Sequence, residues 1–228
     1  MEKQSVAIAQ NEEWTMGKDN GYQKFVFDTK DRKQVFAFDE MYKAEEKEGF
    51  DSWNQTRLTV DRKIAIDILN QYNYESILDI GCGKGFFSHL LQKENNHVLG
   101  IDISKEAIRK AKISYPTVKF QVYDTKDIEK LGQFFERKFE LTVLWEVLSY
   151  MTNWKDVIKA CGKISNYCFI SLYLPNNPIG CIKSFDSLKM EFATYFETIV
   201  EILFVHNNRL ILFGKNRHWT DIDDFNDS

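Results

Sequence analysis

The sequence predicts an α/β fold built on one open, mostly parallel β-sheet with helices on both faces. Three observations predict it. Short apolar runs of strand type alternate with segments whose apolar residues recur at helical spacing, from Ser76 to Leu174. A glycine-rich turn, Gly81-Cys82-Gly83-Lys84-Gly85, follows the first of those runs. Two further apolar runs near the C-terminus, Thr198 to Val205 and Arg209 to Phe213, are joined only by His206-Asn207-Asn208. So short a link can make only an antiparallel hairpin.

Each element follows in order. Residues 1 to about 20 are polar and aperiodic, which predicts a loosely ordered start. From Tyr22 to Trp53 aromatic and charged residues mix (Phe25, Phe27, Phe36, Phe38, Tyr42, Phe50), as in short helices laid over an apolar surface. The run Lys43 to Glu48 reads as a solvated helix face. Val60, Ile64, Ile68, Leu69 and Tyr72 form a helical stripe. Strands are then expected at Ser76 to Ile80, His97 to Ile101, Val118 to Val122, Leu141 to Trp145 and Cys168 to Leu174. Between them fall helices marked by Phe86, Phe87, Leu90 and Leu91, by Lys105 to Ser114, by Ile128, Leu131 and Phe135, and by Trp154, Val157, Ile158, Cys161 and Ile164. Leu188, Phe192 and Phe196 suggest one more helix before the hairpin, making about seven strands in all.

The totals bound the function. The chain has 228 residues, enough for one well-buried core. A net charge of -4 and a pI near 5.7 argue against nucleic acid as the main partner, because phosphate binding draws on clustered Lys and Arg. The four cysteines, Cys82, Cys161, Cys168 and Cys181, form no C-x-x-C pair and no metal-ligand spacing with histidine, so no metal is expected. Reduced thiols, no apolar run long enough for membrane insertion and no signal-peptide core make a cytoplasmic protein the default. A homodimer is left open.

The glycine turn carries the chemistry. Gly81 and Gly83 let the backbone bend and a ligand approach where a Cβ would clash. A dinucleotide fingerprint started at Gly81 would want glycine or alanine at position 86, where this chain has Phe86. Asp79 precedes the turn within its strand. Asp102 ends the next strand, where a carboxylate can accept from both hydroxyls of a ribose. Asp124 and Thr125 follow the third strand, and Phe139 to Leu148 spans the fourth.

In spacing and order these motifs resemble class I S-adenosylmethionine (SAM) methyltransferases over residues 75 to 215. That resemblance implies a Rossmann-like fold, SAM as cofactor and a small-molecule acceptor. It implies cofactor contacts from Asp79, Gly81, Cys82, Gly83, Asp102, Ile103, Asp124, Thr125 and Trp145. Phe38-Asp39-x-x-Tyr42, Asp51-Ser52-Trp53 and Asp61-Arg62-Lys63 are similar to a run in nodulation-type sugar N-methyltransferases, with Ser52 in place of a proline and Asp61 in place of a glutamate. This implies an N-terminal helical lid that brings Tyr42 and Trp53 to the cofactor. The chain then divides into a segment and lid at 1–57, a SAM-binding domain at 58–216 and an acidic tail at 217–228.

Cys82 reads as a small filler of the turn. Trp145 can cap the core or pack on the cofactor, and Glu146 can face solvent, anchor substrate or act as a base. Glu146 and Tyr150 are the candidates for deprotonating an acceptor. The sugar or nucleotide-linked acceptor is the first reading and a quinone-like or lipid acceptor the second. A non-catalytic SAM-binding regulatory module and an NAD-dependent oxidoreductase are the readings from other classes.

Overall fold

The computed structural model describes residues 21–130 and 139–219. Seven strands form the main sheet: β3 (Ser76–Ile80), β4 (His97–Asp102), β5 (Lys119–Val122), β6 (Phe139–Trp145), β7 (Ser165–Tyr173), β8 (Phe196–Phe204) and β9 (Arg209–Asn216). They lie in the order β5-β4-β3-β6-β7-β9-β8. The first five are parallel, while β9 runs antiparallel to both β7 and β8. The hairpin turn is closed by Asn208 at φ 48°, a left-handed position that asparagine tolerates. This is the Rossmann-like sheet expected, antiparallel hairpin included.

Strand alternation splits the core into two layers. Leu78, Ile80, Leu144, Ile170 and Leu212 face one way, against α6 (Trp154–Ile164) and α7 (Phe185–Tyr195). Ile77, Val98, Val143, Phe169 and Phe213 face the other, against α3 (Val60–Leu69), α4 (Phe86–Leu91) and α5 (Lys105–Ser114). The helix expected from Ile128, Leu131 and Phe135 lies outside the described residues, apart from a 3-10 turn at Thr125–Lys130. The expectations for residues 1–20 and for the acidic end from 220 also lie outside them.

Several strands run longer than the sequence reading, β6 starting at Phe139, β7 at Ser165 and β9 reaching Asn216. Phe196, grouped there with the helix, opens β8 and is fully buried; α7 stops at Tyr195. The N-terminal segment contains a small hairpin as well as helices. α1 (Gln23–Val26) is followed by β1 (Phe27–Asp28), β2 (Lys33–Gln34) and α2 (Phe38–Glu48), then a 3-10 turn at Ser52–Asn54. Gly49, at φ 71°, ends α2 in the left-handed conformation. Met41 and Tyr42 bury one side of α2 together with Ala107 of α5. Glu45, read as part of a solvated face, is buried on that side because its carboxylate has two lysines to meet.

Candidate functional site

The glycine turn sits at the carboxyl end of β3, beside the point where the chain crosses from β3–β4–β5 to β6–β7, the place where open α/β sheets bind ligands. Gly81, Gly83 and Gly85 all have positive φ, at 74°, 54° and 80°. The N–H groups of Gly81 and Cys82 both donate to the carbonyl of Ile101, at 2.8 and 3.0 Å. Asp102 secures the turn from the other side. Its Oδ2 accepts from Gly83 N–H at 2.9 Å and its Oδ1 from Ser104 N–H at 2.8 Å. Each oxygen keeps a second lone pair for a ligand hydroxyl. Cys82 is buried, and burial pushes its thiol well above its ordinary value.

Asp79 is fully buried behind the turn. Its Oδ2 accepts from Ser88 Oγ at 2.5 Å, while Oδ1 has no partner. Burial drives Asp79 up to about 7 and Asp102 up to about 6, and each feels the other's charge or that of Asp39. One buried and one partly buried carboxylate, with an orphaned oxygen, fit a cationic ligand. Ile103, next to Asp102, is 48% exposed, an apolar side chain left open beside the turn. On those observations the residues suit an amino-acid-bearing nucleoside sulfonium.

Asp124 lies farther along the rim. Its Oδ1 accepts from Lys126 N–H at 2.9 Å within its own loop. The carbonyl of Thr125 accepts from Asn153 Nδ2 at 2.8 Å. Trp145 is packed on Phe87, with ring centroids 4.6 Å apart, and on Phe169 at 6.2 Å, with the Arg62 guanidinium 5.8 Å above it.

The N-terminal segment reaches this site through named bonds. Tyr42 OH accepts from Gln55 Nε2 at 2.9 Å, and burial beside Asp102 pushes the phenol well up. Gln55 Oε1 in turn accepts from Lys84 N–H at 2.8 Å. Trp53, at φ 54°, donates from its indole to Tyr150 OH at 2.9 Å and packs against Tyr22, Phe38 and Tyr42. Asp39 accepts from Ser104 Oγ and Glu106 N–H at 2.6 and 3.0 Å, tying α2 to the start of α5.

Glu146 follows β6 at φ 56°, a costly conformation for a residue with a Cβ. Its carboxylate accepts from Ser171 Oγ at 2.6 Å and Tyr173 N–H at 2.7 Å, and lies 3.0 Å from Arg209 Nε. Arg209 also pairs with Asp61 of α3. Glu146 is thus partly buried and well partnered; burial still leaves it above its ordinary value. The next residue, Val147, packs so closely on Gly81 that a Cβ there would lie 2.2 Å from it. Tyr150, three residues on, has Tyr22, Glu146 and Tyr173 among its electrostatic neighbours, and burial holds its phenol far above its ordinary value.

The structure therefore gathers Asp79, Gly81, Cys82, Gly83 and Asp102 at one turn, with Tyr42 joined to it through Gln55. It places Trp53, Tyr150 and Glu146 on one flank, with Asp124 and Thr125 on another. Gln55, Lys84, Glu45, Arg209 and Ser171 were missed by sequence reading. Asp39, Asp51, Asp61 and Arg62 did carry a signal, through the aromatic and charged runs they belong to.

A parallel sheet of this order, with a glycine turn clasped by the carboxylate of the neighbouring strand, defines a nucleoside-binding α/β protein. Comparison with known proteins makes the class specific. Residues 73–197 match the model of the methyltransferase domain family, and the chain belongs to that family. It is 29% identical over 143 residues to a ubiquinone biosynthesis O-methyltransferase of Coxiella burnetii, a match covering 62% of this chain and 54% of that one. The chain thus spans about half the length of the curated relative. Among solved structures it resembles the N-methyltransferase NodS of Bradyrhizobium japonicum in complex with S-adenosylhomocysteine (SAH), with a TM-score of 0.56 and 17% identity over 69% of this chain and 86% of that one. It also resembles the N-terminal domain of EvdMO1 in the presence of SAH and D-fucose, with a TM-score of 0.56 and 13% identity over 71% and 85%. Both of those structures were determined with SAH, the demethylated form of SAM. No helix among the described residues is long and apolar enough to cross a membrane.

Proposed function

We propose that this chain transfers a methyl group from SAM to an oxygen or nitrogen of a small molecule, a sugar or nucleotide-linked intermediate being the first choice. One observation carries the reading: the strained Glu146 sits between a residue that closes on the cofactor turn, Val147, and the hydrogen bonds that hold its carboxylate in place. Strain at the switch point of such a sheet is a mark of function.

When bound, SAM supplies an activated methyl on a good leaving group. The chain's part is to orient the acceptor, exclude water and accept a proton. Ser171 Oγ–H and Tyr173 N–H fix the Glu146 carboxylate, and burial raises its basicity above that of an ordinary carboxylate. Tyr150 keeps its proton at neutral pH and already accepts from Trp53, so it serves as a donor to the acceptor rather than as a base. A carboxylate and several phenols around one point suit a polyhydroxylated ring.

A second reading has its own observation. The rings of Phe27, Phe38 and Trp53 pack around Tyr150 at 5.6 to 6.1 Å, a surface suited to a phenolic, quinone-like acceptor. The relative named for ubiquinone biosynthesis points the same way. Release of SAH with a panel of nucleotide sugars, amino sugars and catechols tests both. Turnover on the sugars alone supports the first reading and on the catechols alone the second. SAH binding without turnover on any acceptor would favour a regulatory module.

A further inference from the structure

We propose that Lys84 and Gln55 latch the N-terminal segment onto the glycine turn, so that the exchange of bound cofactor is governed by these two residues. The proposal rests on the reading that residues 38–56 cover the cofactor. Lys84 lies between the last two glycines of the turn, and the N-terminal segment holds it at both ends. Its backbone N–H donates to Gln55 Oε1 at 2.8 Å. Its side chain, only 13% exposed, places Nζ 2.9 Å from Glu45 Oε1 and 2.6 Å from Asp51 Oδ1. Gln55 passes the connection on to Tyr42 OH, and its carboxamide rests on the bare turn: a Cβ at Gly83 would lie 2.5 Å from it.

The same carboxylates reach further. Glu45 Oε1 accepts from Ser52 N–H at 3.0 Å, and Glu45 Oε2 lies 3.1 Å from Lys110 Nζ of α5. Lys110 also donates to the carbonyl of Tyr42 at 2.5 Å. Asp51 is anchored by Thr56 through both N–H and Oγ1. Burial raises Asp51, but the hydrogen bonds from Lys84 and Thr56 outweigh it and leave the group below its ordinary value. Separating the two sides would strand charges in a shielded site, which is costly, so the contacts open together rather than one at a time. Lys84 is then a positioning residue: it acts on the cofactor by holding the cover closed.

The experiment uses the whole chain, SAH as the probe and two variants. Lys84→Met keeps an unbranched side chain one atom shorter and removes its charge; Gln55→Ala removes the carboxamide. SAH release is followed by stopped-flow tryptophan fluorescence, trypsin cleavage after the exposed Lys43 and Lys47 reports the segment, and thermal unfolding reports the fold. In the parent chain SAH should slow that cleavage. Both variants should release SAH about tenfold faster or more, Lys84→Met through loss of its two carboxylate contacts and Gln55→Ala through loss of its neutral bonds to Lys84 N–H and Tyr42 OH. The double variant should be little faster than Lys84→Met alone, because the contacts open as a unit. Variants that unfold earlier yet release SAH at the parent rate overturn the latch. If Lys84→Met does not fold, Gln55→Ala decides by the same criterion. Failure of the underlying reading looks different and overturns both: SAH would then leave cleavage after Lys43 and Lys47 unchanged in the parent chain.

Discussion

The carboxylate of Asp102 accepts the backbone N–H of Gly83 at 2.9 Å. The group expected to meet the ribose of the cofactor is therefore also the clasp of the glycine turn. Asp102→Ala should lower stability as well as binding, by about 1–3 kcal/mol for the lost charge-assisted bonds to Gly83 and Ser104. Thermal unfolding without any ligand checks this: an unchanged midpoint would mean the turn holds without the clasp.

Gly81 is required by its neighbour as much as by its backbone. A methyl group there would lie 2.2 Å from Val147 Cγ2, at a φ of +74°. Gly81→Ala should cost about 2–4 kcal/mol, from overpacking together with the left-handed conformation. Adding Val147→Ala should return part of that loss, but not the conformational share. Denaturant unfolding of the two single variants and the pair reads the coupling directly.

Cofactor binding should expel a proton. Burial holds Asp79 up to about 7 and Asp102 up to about 6, so in the ligand-free protein these acids keep protons that unfolded carboxylates lose near pH 4. Their contribution to stability is therefore greatest at low pH and falls as pH rises from about 4 through 7. A cationic ligand favours the ionised forms and reverses the effect. Affinity for SAM should climb by up to about tenfold per pH unit between 6 and 7, then level off. Calorimetry in buffers of different ionisation heat should find between one and two protons released at pH 6 and far less at pH 8.

Glu146→Gln keeps the size of the side chain and one acceptor oxygen for Ser171 or Tyr173 N–H. With an accepted substrate it should lower kcat about 10²–10⁴-fold, the usual worth of a general base, while SAH affinity stays close to that of the parent chain. Tyr150→Phe removes the acceptor of the Trp53 indole and should cost about 1 kcal/mol of stability, with a smaller loss of kcat. Equal kcat for Glu146→Gln and the parent would remove Glu146 from the chemistry.

How much of this was legible in the sequence depends on how far apart the partners lie. β3 and its turn were read to the residue, because an apolar run, an acid and three spaced glycines form one local pattern. α5 and α6 were equally local, each with its stripe of buried residues. The pair β1–β2 was missed because two-residue strands carry no periodicity at all. Glu45 was misread for another reason. On its own helix it belongs to a charged run, and only Lys84 and Lys110, 39 and 65 residues away, make it a buried group. Glu146 was left open between solvent and site for the same cause. Ser171 and Arg209, which fix it, come from β7 and β9 and cannot be found by spacing along the chain.

The most direct test of the account is a calorimetric titration of SAH into the parent chain and into Asp102→Asn, a variant that keeps the shape of the clasp. The parent should show one site per chain, and the variant an affinity lower by about 1–3 kcal/mol, with both proteins folded. Equal affinity in the two, or binding of NAD in place of SAH, would contradict it.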